Sequence, residues 1–138
     1  MGVVKEMVRI PTLDTPETET SRYAEAGAET VVAVPRDETV IFVRKRLTLE
    51  EILPHLKGLD FVLLEGFDSE KALPRIAAAK TAAEAVDFCG KSTIAISGVI
   101  VESEEEVAKA VGLKPPLLSS SRDAGKIADI IENRSISI

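Results

Sequence analysis

The sequence has few of the residues that build metal centres, disulfides and base-stacking surfaces. It contains one cysteine, Cys89, one histidine, His55, and no tryptophan, and aromatic residues make up only 4% of the chain. A single cysteine forms no internal disulfide, and with one histidine it cannot complete a structural zinc site. The shortage of aromatic rings also argues against single-stranded nucleic acid, which proteins hold by stacking.

Positive charge and long apolar runs are also scarce. There are 17 Lys and Arg residues against 23 Asp and Glu, a net charge of −6 at pH 7, and an acidic chain repels a phosphate backbone. No run reaches the roughly 18 apolar residues of a membrane span, and residues 1–10 do not resemble a signal peptide. We therefore expect a cytoplasmic protein that binds neither nucleic acid nor membranes.

What the chain does have is aliphatic residues in alternating strand and helix patterns. Hydrophobic residues make up 45% of the 138, so we expect a single domain over residues 1–138 with one aliphatic core. Apolar and β-branched runs predict strands at residues 3–10, 30–34, 39–43, 61–67, 92–101 and 116–118. A further strand is predicted at 75–80, because the capping pattern at Thr81 and Glu84 divides the Ala-rich, helix-like segment 73–89. Helices are predicted at about residues 21–26, 49–58, 82–89, 104–112 and 122–133.

Turn and capping residues support several of these boundaries. Residues 35–38, PRDE, predict an antiparallel hairpin between the second and third strands. A hydroxyl residue followed three positions later by glutamate is typical of a capping box at a helix start. This pattern occurs at Thr48 and Glu51, at Thr81 and Glu84, and at Ser103 and Glu106.

The alternation of strands with helices predicts an α/β fold of three layers, in which a mostly parallel sheet carries one antiparallel hairpin. The run FVLL at 61–64 does not alternate between apolar and polar residues. It therefore predicts a central strand that is covered on both faces.

Residues 90–93, GKST, match only the end of a phosphate-binding loop. The full motif needs a glycine five positions before Gly90, where this chain has Ala85, and it needs a strand before the loop and a helix after it. The predicted order is the reverse. We therefore interpret Gly90 as a helix C-cap residue.

Glu65 and Gly66 form the first candidate site, because they end the strand at 61–67. Sheets of this class bind ligands at the carboxyl ends of their strands. An ordinary strand end that turns at Gly66, with Glu65 in water, explains the same pattern.

The polar loop at 12–22 is the second candidate site and includes Asp14, Ser21 and Arg22. Such a loop either orders around a ligand or is a stiff, solvated excursion. Lys5 is a further candidate, or else an edge charge that discourages strand pairing.

Three segments of the chain resemble the molybdopterin-guanine dinucleotide biosynthesis protein B (MobB) family, which has the P-loop nucleoside triphosphatase fold. They are VVK at 3–5, DTPETETSRYAEAGAETVVAV at 14–34 and LDFVLLEGFDSEKALPRI at 59–76. The third is the most specific, since it is close to the family's Asp-hydrophobic-Glu-Gly-Phe signature and to the Leu-Pro-Lys/Arg-Ile that follows it. The resemblance covers residues 3–134 in order.

The resemblance implies a GTP-binding protein that assists the attachment of GMP to molybdopterin as an adapter and works as a dimer. The positions that match residues bordering the family's ligand site are Lys5, Asp14, Ser21, Arg22, Glu65 and Gly66, with Glu65 near Mg²⁺. The family begins with a strand, a glycine-rich GKT/S loop and a helix, whereas this sequence starts where that helix would end. Without the loop a triphosphate loses its main cradle, so we expect at most weak nucleotide binding and little or no GTPase activity from this chain alone.

The leading expectation is an accessory protein of molybdenum or tungsten cofactor biosynthesis that binds a partner protein or a molybdopterin-type ligand. An uncovered sheet edge favours a homodimer or a complex with a molybdenum cofactor biosynthesis protein. Two alternatives remain open. One is GTP binding or hydrolysis, with Mg²⁺, completed by a separate chain that carries a P-loop, and the other is an unrelated α/β domain that binds an anionic metabolite.

Overall fold

The structure is a computed structural model that describes residues 1–7 and 14–136. The chain divides into two compact units, Met1–Phe67 and Asp68–Ile138. The first unit contains β1 (Gly2–Lys5), α1 (Glu19–Glu25), β2 (Thr30–Ala33), β3 (Val40–Val43), α2 (Leu49–Ile52), a 3-10 helix (Leu53–Leu56) and β4 (Val62–Glu65). The second contains β5 (Arg75–Ala78), α3 (Ala82–Phe88), β6 (Thr93–Ser97), a 3-10 helix (Val99–Glu102), α4 (Glu104–Lys109) and α5 (Ala124–Arg134).

Strand pairing confirms the predicted fold class, an α/β fold with parallel pairing and one antiparallel hairpin. In the first unit β1 pairs with β4 in parallel and β2 pairs with β3 in the antiparallel hairpin, and in the second unit β5 pairs with β6 in parallel. The strand predicted over residues 3–10 ends at Lys5, and residues 8–10 lie outside the described part of the chain. β5 forms although its sequence, RIAA, has little intrinsic strand propensity, because pairing with β6 outweighs propensity.

The hairpin of β2 and β3 leaves one apolar face exposed. Val31 pairs with Phe42, and Val31 is buried, whereas the next pair, Val32 with Ile41, lies on the other face because side chains alternate along a strand. Val32 and Ile41 are 54% and 48% exposed, and Val34, which follows β2, is 74% exposed. We call Val32, Val34 and Ile41 the hairpin face.

β4 is covered on one face only, which corrects the prediction made from FVLL. Leu64 is half-buried, but Leu63 is 39% exposed, and its register partner Val3 on β1 is also exposed. The apolar run therefore indicated a strand correctly, although it did not indicate burial on both faces.

The three predicted capping residues each accept a hydrogen bond at a helix start. Of these three patterns, the one at Thr48 has both hydrogen bonds of a capping box. The Thr48 hydroxyl accepts from the Glu51 N–H, and the Glu51 carboxylate accepts from the Thr48 N–H at 2.9 Å. In the other two patterns the carboxylate binds elsewhere. Glu84 accepts from the N–H one residue before its cap, and Glu106, in α4, accepts from the Ala82 N–H at the start of α3 at 2.7 Å.

Three helix predictions need correction at their ends. The helix predicted over 104–112 ends at Lys109. The helix predicted over 49–58 is α-helical only to Ile52 and continues as a 3-10 helix with Pro54 near its start, because proline has no N–H for the α-helical ladder. Gly90 is not the C-cap of α3. That position is Cys89, and the Gly90 N–H donates to the Thr93 hydroxyl at 2.9 Å in a turn that leads into β6.

The strand predicted over 92–101 also ends early. β6 stops at Ser97, and Val99–Glu102 form a 3-10 helix. Gly98 between them has a φ of +101°, and a Cβ at this position would lie 2.6 Å from the Ala79 carbonyl oxygen. The backbone therefore turns away from the strand at Gly98, because glycine tolerates both the positive φ and the close approach to Ala79.

The buried apolar cluster of the second unit is aliphatic, as expected, and small. Its members are Ala77, Ala79, Ala82, Ala85, Ile96, Ile100 and Ala110. Ile96 also forms a single parallel bridge with Leu117, so the strand predicted at 116–118 is reduced to this bridge.

α5 forms close to its predicted bounds. Among the described residues, no helix is long and apolar enough to cross a membrane.

Replacing Gly98 with alanine tests the close approach to Ala79. The added Cβ would meet a carbonyl oxygen and would also require a φ that alanine rarely adopts, so we expect a loss of about 3 kcal/mol in the free energy of unfolding, measured by urea titration.

Gly112→Ala is the matched control for Gly98→Ala. Gly112 has a φ of +111° but no atom within 4 Å of its added Cβ, so only the conformational cost, about 1 kcal/mol, should appear. Equal losses in the two variants would contradict a role for the contact with Ala79.

Candidate functional site

The carboxyl ends of β1 and β4 bring two of the predicted site residues into contact. Lys5 is the register partner of Glu65, and the Lys5 Nζ lies 2.7 Å from the Glu65 Oε1. The hydrogen-bond ladder continues past the strands, since the Glu6 N–H donates to the Glu65 carbonyl at 2.8 Å. Backbone pairing therefore sets the position of this ion pair. We call Lys5, Glu6, Glu65 and Gly66 the strand end.

Gly66 allows the chain to turn directly after the ion pair. Its φ is +89°, and a Cβ would lie 3.2 Å from the Glu6 carbonyl oxygen. Glycine avoids both the strain and the tight contact. β1 and β4 can therefore stay close together up to the point where Lys5 meets Glu65.

The ion pair itself is open to solvent. The Lys5 and Glu65 side chains are 53% and 62% exposed, so water screens their attraction and the pair contributes little to stability. Exposure also means that a ligand or a partner protein can reach both side chains.

Asp14, in the loop before α1, is the centre of a hydrogen-bond cluster. Its side chain is only 5% exposed, and it accepts hydrogen bonds from the Thr18 hydroxyl at 2.8 Å, from the Thr20 hydroxyl at 2.7 Å and from the Arg44 guanidinium. The same loop holds Glu17 at a φ of +79°, a strained value for a residue with a side chain. Internal contacts therefore order residues 14–18.

These contacts lower the pKa of the Asp14 carboxyl below its ordinary value. The hydrogen bond from Thr20 has the largest effect and that from Thr18 the next largest, burial acts in the opposite direction, and Arg44 adds a smaller attraction. Asp14 is therefore an ionised acceptor at neutral pH and a poor proton donor.

Ser21 and Arg22 lie in the first turns of α1 and not in a loop. The helix begins at Glu19 with Thr18 as its N-cap, whose hydroxyl accepts from the Ser21 N–H at 3.1 Å. Ser21 is buried and its hydroxyl donates to the Thr18 carbonyl at 3.0 Å. Arg22 is exposed, and its side chain makes no hydrogen bond or ion pair with the described residues. Arg22 thus presents its charge to solvent.

A shallow depression of about 510 Å³ lies beside α1 and is open to solvent. Asp14, Ser21 and Arg44 are among its lining residues. Lys5 and Glu65 are not among them. The predicted residues are therefore found in two places within the first unit, the strand end and this depression, and Arg22 lines neither.

The basic residues 44–46, which follow β3, were not recognised from the sequence as part of a site. Each pairs with an acidic residue from a different segment of the first unit. The pairs are Arg44 with Asp14, Lys45 with Glu51 at 2.9 Å, and Arg46 with Glu6. We call these three residues the basic triplet. Three consecutive cations in a chain of net charge −6 were the available signal.

The strand end does not match the ligand set of a magnesium ion, which the family resemblance places near Glu65. Mg²⁺ takes oxygen ligands, commonly one or two carboxylates with several waters. Here Glu65 faces the Lys5 ammonium group, and Glu6 is paired with Arg46. In residues 1–7 and 14–136, no group of three or more His, Cys, Asp and Glu side chains is arranged to hold a metal ion.

His55 and Cys89 belong neither to the strand end nor to the lining of the depression. His55 is exposed in the 3-10 helix Leu53–Leu56. Cys89 is half-buried after α3, and burial raises the pKa of its thiol. A thiol that stays protonated is a weak nucleophile, so the geometry gives Cys89 no activated form.

Comparison with solved structures identifies the fold. A crystal structure of Bacillus subtilis MobB matches with a TM-score of 0.69 at 20% identity, over 99% of this chain and 80% of that chain. A second structure of Bacillus subtilis MobB matches with a TM-score of 0.65 at 19% identity, over 99% of this chain and 79% of that one. The chain therefore has an α/β fold of the P-loop NTPase-like class. No curated protein sequence matches it.

The sequence model of one family matches residues 1–102 of the 138, and that family is described as molybdopterin guanine dinucleotide synthesis protein B, MobB. Most of the chain is covered by this match. The chain belongs to the MobB family, and the resemblance found in its sequence is confirmed.

Replacing Asp14 with asparagine should destabilise the first unit. Asparagine has one acceptor oxygen and places an amide donor among the donors of Thr18, Thr20 and Arg44. Because the folded-state pKa of Asp14 is lowered from 3.8, its contribution to stability is complete above that value and is lost as the pH falls through the folded-state pKa. Thermal unfolding should show a lower Tm for Asp14→Asn at pH 7 and a smaller difference from wild type below about pH 4.

Asp37→Asn is the control for this variant. Asp37 is exposed between β2 and β3, and its side chain makes no hydrogen bond with the described residues. Its replacement should leave the pH profile of Tm unchanged. An Asp14→Asn protein with the Tm of wild type at pH 7 would show that the hydrogen-bond cluster does not order the loop.

Proposed function

We propose that this MobB-family chain is an accessory protein, acting as an adapter, in the synthesis of the molybdopterin guanine dinucleotide form of a molybdenum or tungsten cofactor. It binds a partner protein or a molybdopterin-type ligand and does not hydrolyse nucleotide alone. The observation that supports this most is the charge pairing at the strand end. Lys5 with Glu65, and Arg46 with Glu6, leave no uncompensated charge there to hold a triphosphate.

Phosphoryl transfer depends on positioned charge, which P-loop proteins supply with backbone amides, a lysine and a metal ion. Residues 90–93 do not supply such a cradle, because GKST joins the end of α3 to the start of β6. The lysine at the strand end is already paired with a carboxylate at 2.7 Å. These contacts favour binding and assembly over catalysis by the chain alone.

An adapter needs a surface for protein contacts, and we propose that the hairpin face serves as a homodimer interface. Val32, Val34 and Ile41 expose apolar side chains on one side of a two-stranded hairpin. Clustered exposed apolar side chains are typical of interaction sites. A symmetric pair of such hairpins buries the same residues in both copies.

The isolated chain should bind GTP weakly, since charge at the strand end is compensated internally. Calorimetric titration with GTP, with and without Mg²⁺, should give no saturable binding tighter than a Kd of about 1 mM, or about −4 kcal/mol. Tight, magnesium-dependent binding of GTP by the purified chain would overturn the proposal of a non-catalytic adapter.

A second candidate function is GTP binding or hydrolysis that is completed by a separate chain carrying a P-loop, with GTP and Mg²⁺ bound only in the assembled complex. The exposure of Lys5 and Glu65 favours it, because both side chains remain accessible to a ligand held by another chain. Adding the partner would then raise turnover, and Glu65→Gln would lower it. Turnover that is the same with and without Glu65→Gln would rule out a catalytic role for this carboxylate.

Placing a charge on the hairpin face tests the proposed dimer. Light scattering at micromolar concentration should give twice the 14.8 kDa mass of one chain for the wild type. Val32→Lys and Ile41→Lys should each give the monomer mass, because a lysine buried at a symmetric interface faces its own copy and is unpaired.

Val111→Lys is the matched control for the hairpin variants. Val111 is 83% exposed in the second unit, after α4, so this change adds the same charge to an exposed valine that is not part of the hairpin face and should leave the mass unchanged. A monomeric wild type, or hairpin variants that remain dimeric, would contradict the proposed interface.

A further inference from the structure

The three charged side chains of the strand end, Lys5, Glu6 and Glu65, are neutralised when Arg46 of the basic triplet is counted with them. Lys5 pairs with Glu65 from the adjacent strand, and Arg46 pairs with Glu6. Glu6 is the less accessible carboxylate, with a side chain that is 30% exposed. The sum of these four formal charges is zero, so the strand end is not the carboxylate-rich cluster that attracts a divalent cation.

We propose that the ammonium group of Lys5 is the built-in counter-ion of Glu65, and that this strand end accepts its ligand or partner without a divalent metal ion on Glu65. Lys5 is thus a positioning residue that sets which cation neutralises the strand-end carboxylate. The statement that a ligand or partner binds here rests on the proposed function. The statement that Lys5 neutralises Glu65 in place of a metal ion concerns these two residues alone.

The backbone places the Lys5 ammonium beside Glu65. The parallel register aligns Lys5 with Glu65, and the hydrogen bond from the Glu6 N–H to the Glu65 carbonyl extends the pairing one residue further. Gly66 permits this approach, since a Cβ at that position would press on the Glu6 carbonyl. Moving the backbones of the two residues apart along the strands would need a slip in register, which would break the ladder.

A tethered ammonium competes well with a dissolved metal ion for one exposed carboxylate. A group attached nearby acts at an effective concentration in the millimolar range. Mg²⁺ gives up its waters reluctantly and binds protein through several oxygen ligands, whereas Glu65 offers one carboxylate. Repulsion between the ammonium and a divalent cation close by weakens binding by a further factor of about ten or more.

Titration of the full chain with Mn²⁺ alone, followed by the electron paramagnetic resonance signal of the free ion, tests this inference. The wild type should bind Mn²⁺ at the strand end only at millimolar concentrations or above, and the titration extends into that range so that its affinity can be measured. Lys5→Met keeps the length of the side chain but removes the charge, and it should strengthen Mn²⁺ binding about tenfold. The double variant Lys5→Met with Glu65→Gln should lose that gain.

Lys57→Met is the control for net charge, since it also removes one positive charge from an exposed lysine of the first unit, away from the strand end. It should bind Mn²⁺ as the wild type does. Circular dichroism should confirm that the Lys5 variant is folded, with Lys5→Gln used in its place if it is not. The inference is overturned if wild-type chain binds Mn²⁺ tightly through Glu65, or if removing the charge at Lys5 has no more effect than removing it at Lys57.

The Mn²⁺ titration uses neither GTP nor a partner protein, so the two proposals fail separately. A chain that binds no partner but shows the gain in Lys5→Met refutes the adapter function and supports the counter-ion. A chain that binds its partner but holds Mn²⁺ at Glu65 supports the adapter function and refutes the counter-ion.

Discussion

Parallel strands carry their carboxyl ends to the same edge, and in the first unit this places Lys5 beside Glu65. The basic triplet then brings acidic residues from three other segments to the end of β3. Each charge that sequence analysis would assign to a ligand therefore already has a partner inside the protein, Arg22 excepted. Charge compensation of this kind is compatible with a protein that assembles with others and makes phosphoryl transfer by these residues alone difficult.

Local sequence signals predicted most of the elements because the signals are themselves local. The hydroxyls of Thr48, Thr81 and Ser103 act within one helical turn, and the PRDE turn joins adjacent strands. The predicted element ends were wrong where a backbone contact with a distant part of the chain determines where the element stops. β6 ends at Ser97 because Gly98 packs against Ala79, and no periodicity in the apolar run from residue 92 onward records that contact.

The part of the candidate site that lies at the ends of strands could be predicted from the sequence. Glu65 was recognised because it follows an apolar run, and Lys5 because it is a cation within the first predicted strand. The register brings the two together. The partners of Asp14 and Glu6 were not recognised, since Arg44 and Arg46 lie 30 and 40 residues away in the chain. Ion pairs across such separations leave no spacing pattern in one sequence, so the sequence did not indicate that Asp14 accepts a hydrogen bond from Arg44.

The contact of Glu106 with α3 shows that a boundary of sequence similarity is not a boundary of structure. The family match ends at residue 102, yet Glu106 accepts the first N–H of α3, and Leu117 and Leu118 flank Ile96, which is fully buried. A protein shortened to the matched region would leave that N–H without its acceptor and open the apolar cluster to water. The last quarter of the chain is therefore needed for the rest of the second unit to be stable.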